Sequence, residues 1–346
     1  MEEDEKMTSR KLFITADAYV PDMDIDTYHK RVRGIHPITG RDEPVIGKSS
    51  LTTFSRSPAH FDAARRFPKA PTPRMQEGTA GHTCLLEPEL FEAEHKQWLD
   101  THCVKRKFSG KGSVAARKEW EEENAHLTIL TEDQYYKVVR KHEKWLRMRD
   151  CVLAHSEVAE ILSAKDGVAE HSFFSLGLEM VWLKARPDWL MRDAGLYYDI
   201  KFTADARRHV FRSVASRLKY HWHVLYQDVI EAVTGDRPEM FFMVVEFEYP
   251  HCPKIYPIDA EASGIAQDQY RSALRKLRKC LDSGIWPGYE SVTEEEPLGF
   301  NRSALWINDD DEHGSAEHDG YDPGADDGYY NDEDDETDDA AWEVAA

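Results

Sequence analysis

The stretch "KARPDWLMRDAGLYYDIKFT", Lys184 to Thr203, sets two carboxylates, Asp188 and Asp199, and one ammonium, Lys201, among Trp, Leu, Tyr and Ile side chains that favour burial. Apolar runs flank "RDAG" (Arg192 to Gly195), and a four-residue turn signal between two such runs predicts an antiparallel hairpin. A turn centred between Asp193 and Ala194 brings Asp188 opposite Asp199, with Cβ atoms about 5 Å apart. Lys201 falls two residues past Asp199 and so on the same face. Carboxylates this close repel, and each costs more as it is desolvated. Mg2+, with Mn2+ as a substitute, is a hard cation that takes one or two carboxylates, water and a substrate phosphate, which this pair can supply. The backbone carbonyl of Ile200 adds a further oxygen, and Lys201 is placed to hold or deprotonate an attacking water and to stabilise transition-state charge. Taken alone, the same charges equally describe a hairpin with a surface ion pair.

Elsewhere the chain offers partners for such a site. "EGTAGHTCLLEPELF" (Glu77 to Phe91) opens with small residues that permit close helix packing and then turns apolar, so His82 emerges from a core helix. Glu170, in "VAEHSFFSL", sits at the head of a predicted strand, where an accessory site role and a surface position are both open. Val210, Val214, Leu218, Trp222, Leu225, Val229 and Val233 recur at helical spacing, and Tyr226 lies on that predicted helix. His221 and His223 flank Trp222; an H-x-H on a helix does not converge on one metal, so they read as structural or DNA-adjacent.

Pro187-Asp188 followed by Asp199-Ile200-Lys201 resembles the PD-(D/E)XK nuclease signature, in which these positions are metal ligands and a catalytic lysine. "KSSLTTFSRSPAHF" (Lys48 to Phe61), the Glu77 to Phe91 segment, "LTEDQYYKV" (Leu130 to Val138), the hairpin and "GIWPGY" (Gly284 to Tyr289) follow in the order of the RecE-type exonuclease VIII branch. The resemblance covers residues 48 to 290. It implies that His82 belongs to the active site and joins Asp188, Asp199 and the Ile200 carbonyl around the metal. It also implies an acidic residue near Glu170. Many relatives carry Gln-x-x-x-Tyr after the lysine strand; here Tyr226 matches the tyrosine and Trp222 stands at the glutamine position. The implied activity is Mg-dependent digestion of one strand of duplex DNA from its ends, 5′ to 3′, beside a single-strand annealing protein in phage-type recombination, with a homo-oligomer expected.

A net charge of −21 over 346 residues sits oddly with DNA binding, but it is local. Residues 291–346 hold 20 of the 65 acidic residues and one of the 44 basic ones, leaving 45 against 43 in residues 1–290. Basic residues cluster at Lys105, Arg106, Lys107 and Lys111, and at Arg186, Arg207, Arg208 and Arg212; such clusters neutralise phosphates, though solvated helix faces look the same. Five scattered cysteines without a CxxC pair indicate neither a disulfide framework nor a zinc site. No apolar run approaches the ~20 residues of a membrane span and no secretory segment is visible, so a cytoplasmic protein is expected.

The expected architecture is an α/β PD-(D/E)XK core with a mixed central sheet flanked by helices. Residues 1–47 read as an irregular arm, 48–290 as the nuclease domain and 291–346 as an acidic tail too polar to fold alone. Strands are expected near 168–176, 178–190, 196–203 and 240–249, with one long helix running from the lysine strand to Val233. An endonuclease or single-strand nuclease of the same superfamily, or a partner-docking DNA mimic acting through the tail, are the alternatives.

Overall fold

A computed structural model describes residues 11–110 and 113–289 of the chain; the expected acidic tail lies outside them. The first strands are β1 (Leu12–Ile14), β2 (Ala18–Val20), β3 (Val32–Ile35) and β4 (Asp42–Pro44). Within the stretch expected to be an irregular arm, residues 11–47 thus carry regular structure: Ile14, Met23, Tyr28, Val32 and Val45 pack with Phe174 and Trp182 in a small core of their own. Strands of three and four residues are too short for a period of two to be read from sequence.

Helices α1 (Lys48–Arg56) and α2 (Pro58–Arg66) meet at Ser57, whose side chain caps α2 by accepting the His60 N–H. Helices α3 (Pro73–Leu86) and α4 (Pro88–Thr101) are parted by Pro88, which cannot supply the N–H that a continuous helix needs. A two-stranded ladder of β5 (His102–Val104) and β6 (Thr128–Leu130) encloses α5 (Ser113–Glu123) and leads into α6 (Glu132–Leu153) and α7 (Ser156–Leu162).

The expected strands at 168–176 and 178–190 are each broken in two. β7 (Gly167–Ala169) and β8 (Ser172–Leu176) are separated at Glu170, whose φ is +55°; β9 (Trp182–Ala185) and β10 (Trp189–Met191) are separated by Arg186-Pro187-Asp188. Each break moves the chain between sheets. β8 and β9 join β2 in an antiparallel sheet, while β7 and β10 join β11 (Leu196–Thr203), β12 (Glu239–Glu246) and β13 (Pro253–Pro257) in the order β13-β12-β11-β10-β7. That five-stranded sheet is mixed, since β11 and β12 are parallel and its other pairs antiparallel.

The hairpin register sets Trp189 opposite Tyr198 and Met191 opposite Leu196, which puts Asp188 across from Asp199. Alternation along β11 sends Tyr197 to one core, with Leu225, Val229, Phe242 and Leu277, and Tyr198 and Ile200 to the other, with Trp145, Met148 and Met243. The first core is covered by α9 (Val224–Thr234) and α10 (Ala260–Ser283), the second by α3 and α6. The helix expected to run to Val233 is instead α8 (Arg208–Arg217), a left-handed residue at Lys219 with φ +51°, a 3-10 turn Tyr220–His223, and then α9.

Candidate metal centre and active site

The two sheet-switching kinks place acids at one spot. Glu170, between β7 and β8, donates its N–H to the carbonyl of Asp188, between β9 and β10, at 3.2 Å. His82 arrives from α3, which lies close against β11 because residue 81 is glycine: a Cβ there would fall 2.6 Å from the ring of Phe202. The His82 Nδ1 is 3.8 Å from Asp188 and 4.0 Å from Glu170, and one ligand atom from each of the three residues lies within 4.8 Å of the others.

These groups converge on the peptide of Ile200. Its N–H is donated to the Asp188 carboxylate, and its carbonyl faces His82 Nε2 at 3.0 Å and accepts from Lys201 Nζ at 3.1 Å. A carbonyl oxygen can only accept, so Nε2 carries the proton and Nδ1 presents a lone pair towards Glu170 and Asp188. Burial, reinforced by Lys201, pulls the His82 pKa down to about 4 and keeps that lone pair free at neutral pH. Burial and the nearby Asp188 push Glu170 up to about 8 against the pull of Arg186. Asp188 is raised by burial, with Lys201 and the Ile200 N–H opposing.

Asp199 is held by other partners. Its carboxylate lies 2.6 Å from Lys201 Nζ and 3.2 Å from His223 Nδ1. Burial raises it to about 6 although Lys201 acts against the shift. Burial lowers Lys201, but Asp199 and Asp188 outweigh it, so the ammonium stays charged. One Asp199 oxygen and His223 Nδ1 are buried without an aligned hydrogen bond.

The residues expected around a metal fall into two neighbouring groups among the described residues. His82, Glu170 and Asp188 come together; Asp199 is engaged by Lys201 and His223, and the Ile200 carbonyl by His82 and Lys201. The trio suits a divalent cation, which would stabilise the ionised form of two carboxylates that burial disfavours and meet a neutral imidazole nitrogen. Among the DNA-binding candidates, Arg186 is not on an open face: its side chain is 10% exposed and donates to Glu170, Ser172 and the Met23 carbonyl. It orients Glu170. Lys105, Arg106, Lys107, Arg207, Arg208 and Arg212 are exposed, Lys107 beside Glu132 and Arg207 paired with Asp205; Lys111 lies outside the described residues. Tyr226 packs edge-on against the His223 ring at 5.0 Å.

Two site residues escaped the sequence reading. His223 read as structural or DNA-adjacent because an H-x-H on a helix does not converge on one metal, whereas the 3-10 turn brings its Nδ1 within 3.2 Å of Asp199. Lys48 opens α1, 7% exposed, with Nζ donating to the Leu218 carbonyl and lying 4.8 Å over the Tyr220 ring; burial and Lys201 lower it to about 8. No periodicity marks a buried lysine.

A mixed sheet with acids at its strand switches, a histidine from a flanking helix and a lysine two residues past the second aspartate define a PD-(D/E)XK nuclease-type domain, a class that uses divalent metal ions. Residues 47–295 match the family described as a PDDEXK-like domain of unknown function (DUF3799), and the chain belongs to that family. No curated protein matches the sequence. Among solved structures the chain is similar to a Eubacterium rectale protein described as a "putative exonuclease", with 9% identity, a TM-score of 0.47 and coverage of 75% of this chain and 91% of that one. It is also similar to a Vibrio cholerae protein, with 12% identity, a TM-score of 0.18 and coverage of 82% and 78%. Among the described residues no helix is long and apolar enough to cross a membrane.

Proposed function

We propose that the chain is a metal-dependent deoxyribonuclease that digests one strand of linear duplex DNA from its ends. The observation that carries this reading is the gathering, around the Ile200 peptide, of a three-donor cluster and the Lys201 ammonium. A Mg2+ or Mn2+ ion held by His82, Glu170 and Asp188 would supply a Lewis acid and lower the pKa of water.

The chain's own groups do the rest. Lys201, fixed by Asp199 and the Ile200 carbonyl, holds the attacking water and meets charge that develops on the phosphoryl oxygens. Asp199 can take the proton that this water gives up. Water oxygen bonds to phosphorus, the bridging P–O bond breaks, and the departing oxygen takes a proton from solvent water. Action at ends, 5′ to 3′ polarity, an annealing-protein partner and a recombination role are supported by the motif order that the chain shares with exonuclease VIII-type enzymes.

Incubation of end-labelled linear duplex and a closed circle with Mg2+ tests the reading. Loss of label with an intact circle is expected. Cutting of the circle would make the enzyme an endonuclease, and survival of both substrates would overturn the assignment.

A further inference from the structure

We propose that residues 65–75 grip an unpaired DNA strand beside the candidate site, with Lys69 and Arg74 on its phosphates and Phe67 stacked on a base; the choice of a nucleic-acid partner rests on the nuclease reading above. Every residue from 63 to 76 is exposed, including Phe67 at 75% and Met75 at 61%. From Arg65 to Gln76 the sequence holds Arg65, Arg66, Lys69 and Arg74 and no acid, in a chain of net charge −21. Arg65 and Arg66 share the Asp62 carboxylate at 2.7 Å. Lys69 and Arg74 have no ion pair among the described residues, so their charge is available to an incoming anion.

The segment is built to stay open. Pro68, Pro71 and Pro73 fix their own backbone and disfavour helix at the residue before each, so 67–72 runs without regular structure between α2 and α3. A prepaid restriction of this kind reduces the ordering cost of binding.

It also leads to the site. Arg74 lies in the first turn of α3 and His82 about two turns further along the same helix. Gly78 lies between them, and nothing stands within 4 Å of the place its Cβ would take, so that helix face is clear. Burial raises the Tyr220 hydroxyl, with Lys201 and Arg74 both acting against it; Tyr220 in turn lies 5.4 Å from Lys201 Nζ. A bare aromatic ring among unpaired cations suits a single strand, whose phosphates meet the charges and whose unstacked bases meet the ring. An acidic peptide would satisfy the cations but leave the ring's flat face unused.

Binding of a fluorescent oligothymidine strand to the full chain in EDTA, where nothing is cleaved, separates the parts. Phe67→Ala is expected to weaken binding about tenfold or more with an unchanged salt slope. Lys69→Glu with Arg74→Glu is expected to flatten the slope by about 0.7 per lost phosphate. All these side chains are exposed, so thermal unfolding should match wild type. Wild-type binding by Phe67→Ala, an unchanged slope in the charge variant, or tighter binding of polyglutamate than of the oligonucleotide each overturns the proposal. A wild type that cleaves duplex while the variants bind like it sinks this inference alone; a wild type that cleaves nothing while the variants lose strand binding sinks the nuclease reading alone.

Discussion

The carboxylate of Asp188 accepts the backbone N–H of Ile200, standing in for a strand acceptor where β10 ends and β11 continues alone on that edge. One side chain thus has two duties, holding a strand and facing His82 and Glu170. The two come apart by substitution. Asp188→Asn keeps an acceptor oxygen and removes a buried charge, so metal-free stability should equal or exceed wild type while metal binding is lost. Asp188→Ala orphans a buried N–H and should be less stable than Asp188→Asn by about 1–3 kcal/mol. Equal denaturation midpoints for the two variants would show that the bond does not matter to the strand.

Lys201→Ala should lower turnover by about a hundredfold or more, roughly 3 kcal/mol of transition-state stabilisation, while metal affinity is largely kept. Single-turnover rates and calorimetry on the same preparation read both. Loss of metal binding together with the fold would reassign Lys201 to a structural ion pair with Asp199.

His223 Nδ1 is buried without an aligned hydrogen bond and lies 3.2 Å from Asp199 Oδ1. Such bonds tighten when substrate arrives. His223→Leu should cut kcat about tenfold or more and leave the KM for DNA in place, and His223→Asn, which keeps a donor near Nδ1, should recover most of the loss. Equal rates in the two variants would show that the donor has no part in positioning Asp199.

Metal-free stability should fall as pH rises from about 6.5 to 7.5. Glu170 titrates near 8, above its ordinary 4.5, so the folded state keeps a proton that the unfolded chain has released, and stability is lost as pH climbs towards the folded pKa. Below that window the lowered pKa of His82, about 4, works in the opposite direction; above it the lowered Lys48, about 8, does the same. Melting in EDTA should show the slope in wild type and a flatter one in Glu170→Gln. Parallel slopes would place the proton elsewhere.

The hairpin was legible because turn chemistry fixes register and register fixes which residues face each other; the pairing of Asp188 with Asp199 followed from twenty residues, and the mixed sheet from the order of helices and strands. What was not legible arises at breaks. Glu170 and Asp188 were both named from sequence, but not the breaks beside them, because residues that read as continuous strands carry no mark of a φ of +55° or of a change of partner. His223 depended on a left-handed Lys219 that interrupts an otherwise unbroken helical pattern. Arg186 looked like a phosphate contact because its charge is visible in sequence and its buried partner is not. The N-terminal strands were hidden by their brevity, although Met23 supplies the carbonyl that steadies Arg186.

Titration calorimetry with Mn2+ on the metal-free full chain, compared with His82→Ala, Glu170→Gln and Asp188→Asn, tests the central claim that these three side chains form the metal centre. Saturable binding by wild type that is weakened at least tenfold in every variant is the predicted result. Wild-type affinity in the three variants, or no binding by the wild-type chain, would contradict it.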